Sequence, residues 1–203
     1  MACLGHGDLA AARAHLEQAL ERVRQGEEPR SIAAVINAMA QFHRVEGDLD
    51  AAQPLFEHVL DLARGLEDRE SIAIALLNLA MTWVERGAVD RAREPVGEAL
   101  ALAQASGSKP AGQSVLEVCA GIAVQRQRWT CAAKFYGAAE AEASHTGLRR
   151  DPADESFLAP RVAKARAALS DGAFERAEGE GRALALDEAL EFARAWLGEW
   201  PSA

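Results

Sequence analysis

The sequence repeats itself every 40 residues. From Gly7 it reads GDLAAARAHLEQAL, from Gly47 GDLDAAQPLFEHVL, from Gly87 GAVDRAREPVGEAL, and from Gln127 the degenerate QRWTCAAKFYGAAE. A fixed period of this size marks a solenoid of stacked helical units, because each unit carries an apolar face that only its neighbours can bury. Repeats of this kind join into one elongated body, so the 203 residues are read as a single unit rather than as separate globules.

Each repeat divides into two helices. Gly7, Gly47 and Gly87 precede the second helix, and Asp8 and Asp48 follow two of these glycines, where a carboxylate caps exposed N–H groups at the positive helix end. The first helices are predicted over 31–45, 71–85 and 111–126. Polar breaks separate the pairs: Gly26-Glu27-Glu28-Pro29, Gly65-Leu66-Glu67-Asp68 and Ser106-Gly107-Ser108-Lys109-Pro110. Apolar residues make up 49% of the chain and aromatics only 5%, with Ala and Leu dominant, which suits close helix packing.

The small residues keep the period. Ala40, Ala80 and Ala120 recur on the first helices and Ala12, Ala52, Ala92 and Ala132 on the second, where they let helix axes approach closely. Four positions on stand Leu16, Phe56, Val96 and Tyr136, which fill the space between units. His43 and Trp83 hold equivalent places near the ends of their first helices. Pro54 and Pro95 are expected to bend the second helices that contain them.

This pattern resembles the tetratricopeptide repeat. Leu76, Leu79, Ala80, Trp83, Gly87, Ala92, Val96 and Ala99 match that motif in order, and Ile36, Met39, Ala40, His43, Gly47, Ala52, Phe56 and Val59 match it slightly less well. In the fourth copy Gln127 replaces the Gly, which puts that turn in doubt. The resemblance implies an all-α, right-handed α-α superhelix, with repeats over 1–140 and a continuous helical cap over 141–203. The family's usual period is about six residues shorter, and the excess falls in the polar connections.

Met1 to His6 is too short for the partner of the helix beginning near Asp8, so the sequence reads as opening halfway through a repeat: either an upstream domain is missing, the preferred reading, or this first helix is a cap that docks without a partner. After Gly137 the repeat decays into helices expected near 155–169, 172–180 and 186–199. Phe157, Leu158, Val162, Leu169 and Phe174 form one apolar stripe, and Leu186, Leu190, Phe192, Ala193, Trp196 and Leu197 form another. The run Ala132-Ala133-Lys134-Phe135-Tyr136-Gly137-Ala138-Ala139-Glu140 and the segments 167–174 and 181–189 resemble the C-terminal repeat region of bacterial ATPase regulators with LuxR-type DNA-binding domains, and of some nucleotide cyclases. In those proteins the region is a sensory or interaction module.

Catalytic chemistry finds no foothold. Five histidines form no cluster and no His-Glu-x-x-His, so no metal site is expected; no phosphate loop occurs, and Gly179-Glu180-Gly181 lacks the remaining glycines of a phosphate cradle. No cofactor is expected. Glu175 to Glu180 reads as a solvated helix face rather than as paired catalytic carboxylates. A formal charge of −9 repels a phosphate backbone, which argues against direct nucleic-acid binding. Cys3, Cys119 and Cys131 suit free thiols in a reducing cytoplasm, although Cys119 and Cys131 fall on the two helices of one repeat. No stretch approaches the roughly 20 apolar residues of a membrane-spanning helix.

The resemblance directs attention to the concave face lined by the first helices. Its groove positions carry Ala34, Asn37, Ala38, Gln41 and Arg44, then Ile74, Leu77, Asn78, Met81 and Glu85, then Ser114, Glu117, Val118 and Gly121. Asn37 and Asn78 suit a peptide backbone, and Leu77, Met81 and Val118 suit apolar side chains. The lysine-rich clamp of some chaperone-binding relatives is absent. The expected function is a non-catalytic interaction or sensor module that binds a protein or peptide segment. The alternatives are self-association through the first helix or the Trp196/Trp200 end, small-molecule sensing, and a groove filled by the chain's own C-terminal helices.

Overall fold

The computed structural model describes residues 28–170 and 172–200, together with Ala14 and Gln18. The expected half-repeat at the start, including Asp8, Ala12 and Leu16, lies outside the described residues. Among the described residues there are nine α-helices and no strand: α1 (Pro29–Glu46), α2 (Leu49–Gly65), α3 (Arg69–Glu85), α4 (Arg93–Ser106), α5 (Lys109–Gln125), α6 (Trp129–Thr146), α7 (Pro152–Ala168), α8 (Ala173–Arg182) and α9 (Leu186–Gly198). The chain is an all-α solenoid of antiparallel helix pairs, α1/α2, α3/α4 and α5/α6.

Short polar side chains start the helices. Asp48 accepts from the Ala51 N–H at 3.1 Å, Asp68 from Ser71 at 3.2 Å, Ser108 from Ala111 at 3.3 Å and Asp151 from Ala153 at 2.8 Å. The inter-helix turns need a left-handed residue, which Gly47 (φ 82°) and Gly87 (φ 74°) supply without a Cβ penalty. Gln127 adopts the same conformation, φ 57°, so the fourth turn survives the loss of glycine. Pro95 does not bend a continuous helix. The segment after Ala88 forms a 3-10 turn, Val89–Ala92, and α4 starts at Arg93. That break places Pro95 in the first turn of α4, where a missing N–H costs nothing.

The recurrent alanines are the crossing points: Ala40, Ala52, Ala80, Ala92, Ala120 and Ala132 are all buried, as are the bulky Phe56 and Val96 beside them. One apolar core runs from Ile36 to Trp200 without a gap. Successive repeats are also tied by ion pairs that keep the 40-residue period, Arg86 to Asp50 and Arg126 to Asp90.

The last three helices extend the stack in different directions. α8 lies along α6, α9 covers α4, α5 and α6, and α7 turns back across the first helices of the pairs, touching α5, α6 and α1. Trp196 and Trp200 are buried, with ring centroids 5.1 Å apart, and the Arg126 guanidinium lies over Trp200.

Candidate functional site

The first helices α1, α3 and α5 lie side by side, so residues 40 apart share a row. α7 covers one end of this concave face and leaves the other open. At the covered end, Phe157 packs against Gly121 so tightly that a Cβ at position 121 would fall 2.4 Å from its ring. Arg44, with a side chain 1% exposed, donates to Asp154 at 3.0 Å and lies 3.7 Å from Glu85. Burial pushes the Asp154 and Glu85 carboxyls above their usual range, against the pull of Arg44. Arg44 and Glu85 are therefore engaged in holding α7 and are not groove-lining residues. Val118 is completely buried and does not line the groove either.

The open end is a cavity of about 440 Å³. Its floor carries the other seven of the ten expected binding residues: Asn37 and Gln41 from α1, Ile74, Leu77, Asn78 and Met81 from α3, and Glu117 from α5. Asn78 donates to Asn37 at 3.0 Å, from the first helix of one repeat to that of the repeat before it. Leu77 and Met81 are nearly buried, whereas Ile74 is 44% exposed and marks the mouth.

The far wall comes from residues outside the repeat: Leu148, Arg149, Arg150, Asp151 and Asp154, on the turn before α7 and its first residues. Arg150 Nε donates to Glu117 at 2.9 Å, and its other nitrogens reach Glu140 and Glu155, both at 2.6 Å. Burial works against the Arg150 charge, but these three carboxylates more than reverse it and hold the guanidinium charged. Glu117 itself is pushed above the usual carboxyl range by burial, with Arg150 and the Gln113 amide pulling the other way. The far wall was not foreseen in the sequence, because residues 148–154 follow the decay of the period. Gln113 could have been: its equivalents 40 and 80 residues earlier are Ala73 and Ala33, so an amide there departs from the repeat.

The remaining candidates are structural. Cys119 is fully buried, and desolvation raises its thiol pKa, which leaves it a poor nucleophile. Gly181 sits inside α8 against the backbone of α6. Among the described residues no group of three or more His, Cys, Asp or Glu side chains is arranged to hold a metal ion, and no helix is long and apolar enough to cross a membrane.

An antiparallel helix-pair solenoid with small residues at its crossings and a groove on its first helices is a tetratricopeptide-like fold. The tetratricopeptide repeat family model matches residues 31–105, which takes in α2 and α3 and nearly all of α1 and α4. Repeats of this family generally mediate protein–protein interaction. No curated protein and no solved structure matches the chain.

Proposed function

We propose that the chain is a non-catalytic interaction module that holds a short segment of a partner protein in the open end of its groove. The observation that carries this reading is the 440 Å³ cavity, whose floor sets the Asn37–Asn78 amide pair beside Leu77, Met81 and the exposed Ile74. Amides that satisfy a peptide backbone next to apolar anchors are the usual elements of segment recognition. The size favours a few residues over a long helix, since α7 takes up the rest of the face; sites of about 300–1,000 Å³ bury small ligands or short segments. The likeness of residues 132–140, 167–174 and 181–189 to regulatory repeat regions supports a place in bacterial signalling or transcription control, in the cytoplasm.

Selection from a displayed peptide library, followed by affinity measurement on Ile74→Glu, tests this. Ile74 is exposed, so the substitution leaves the core intact; at least tenfold weaker binding at unchanged melting temperature is expected. Unchanged affinity sinks the groove assignment. Asn78 and Leu77 are poorer probes, because both are 3% exposed and their replacement also costs stability.

A further inference from the structure

The chemistry of the cavity narrows what the bound segment carries, an inference that rests on the groove reading above. Four carboxylates line the cavity, Glu70, Glu117, Asp151 and Asp154, against the guanidiniums of Arg149 and Arg150. Arg150 is already divided among Glu117, Glu140 and Glu155 and has little left for an anion. Arg149 and Glu70 are both exposed, where solvent screens them, and Asp154 is held from outside the lining by Arg44. The carboxylates also act on one another: Asp151 raises the Asp154 carboxyl and Asp154 that of Glu117, each a smaller effect than burial and than the opposing pull of Arg44 on Asp154 and of Arg150 and the Gln113 amide on Glu117. A positive group placed among them relieves that repulsion.

A second observation points the same way. Gln113 is 5% exposed; its amide donates to Glu117 at 3.0 Å, while its carbonyl oxygen is buried without a partner. It is the lining residue that leaves a buried polar atom unpaired, and that atom is an acceptor. A ligand rich in donors gains by pairing it, and a ligand rich in acceptors does not. In the same cavity Ile74 and Leu148, each 44% exposed, offer apolar surface of the kind that takes the aliphatic stem of a long cationic side chain.

We propose that the bound segment presents a lysine or arginine side chain to the Gln113–Glu117 corner of the cavity, with its stem against the apolar lining. The partner is thus a basic, partly apolar segment, the opposite of an acidic carboxyl terminus.

The test is a nuclear magnetic resonance titration of the full chain with three acetylated dipeptide amides, Leu-Arg, Leu-norleucine and Leu-Glu, following the side-chain amides of Asn37, Asn78 and Gln113. Leu-Arg should move these resonances and bind at least fivefold more tightly than Leu-norleucine, with Leu-Glu weaker than both. Glu70→Lys, a surface change, should reduce that preference at least threefold, and Gln113→Met should reduce it with the fold intact. Equal or tighter binding of Leu-norleucine or Leu-Glu overturns the cationic assignment and leaves the groove reading standing. If none of the three dipeptides moves these resonances, both fall.

Discussion

Gly137 on α6 and Gly181 on α8 meet the same helix crossing, and each lies against the other helix's backbone. A Cβ at Gly137 would fall 2.0 Å from the Glu178 carbonyl oxygen, and one at Gly181 would fall 1.9 Å from that of Lys134. The two helices approach this closely because neither carries a side chain at the crossing. α8 is thereby seated on the last repeat although its own sequence has left the period.

Gly137→Ala and Gly181→Ala should each destabilise the protein by about 1–3 kcal/mol or more, as overpacking of a tight contact does. Gly179→Ala, on the same helix with nothing within 4 Å of its Cβ, should instead stabilise by about 0.5–1 kcal/mol. Urea unfolding of the three variants separates packing at the crossing from helix propensity.

The inter-helix turns yield a second comparison. Gly47→Ala and Gly87→Ala meet no steric obstacle, so their cost is conformational alone, about 1–2 kcal/mol for an L-residue held at positive φ. Gln127→Gly removes that cost from the fourth turn, offset in part by the freer unfolded chain, and should be neutral to stabilising by about 1 kcal/mol. Thermal melts of the three variants check the order.

Docking of α7 depends on Gly121. Gly121→Ala drives a methyl group into Phe157 and should raise amide hydrogen exchange along 152–168 while α1 to α4 keep their protection. Phe157→Ala should cost about 3–5 kcal/mol, since its ring is fully buried. The two effects should be strongly non-additive in a double-mutant cycle.

The buried carboxylates predict an unusual pH response. Glu117 has an ordinary value of 4.5, raised in the folded chain chiefly by burial. As pH climbs past 4.5 the unfolded chain ionises this group first, so its contribution to stability declines until pH exceeds the folded value. Glu117→Gln should therefore gain stability relative to the wild type as pH rises through that window, while Arg150 keeps Glu140 and Glu155. Urea titrations at a series of pH values read the sign; a relative loss with rising pH would mean that Arg150 outweighs burial.

Much of the fold was legible because the 40-residue period samples the same environment again and again. Ala40, Ala80 and Ala120 announce the crossings, and the polar runs mark the helix ends within a few residues. The groove floor was legible for the same reason, as Asn37, Leu77 and Glu117 occupy one row. The period says nothing about an element that occurs once. The return of α7 over Arg44, Glu85 and Gly121 depends on Asp154, Phe157 and Arg161, which have no counterparts in the repeats. Arg44 and Glu85 consequently read as groove residues although they hold α7. The ladder of Asp50 with Arg86 and Asp90 with Arg126 keeps the same spacing, but exposed charges at matching positions equally suit an unpaired solvated face, so the sequence alone does not distinguish the two.

The most direct test is hydrogen exchange of the full chain with and without a library-selected peptide. Added protection should fall on 70–81 and 108–117 with α7 unchanged, placing the segment in the open end of the groove. Protection confined to other surfaces, or release of α7 on binding, would contradict it.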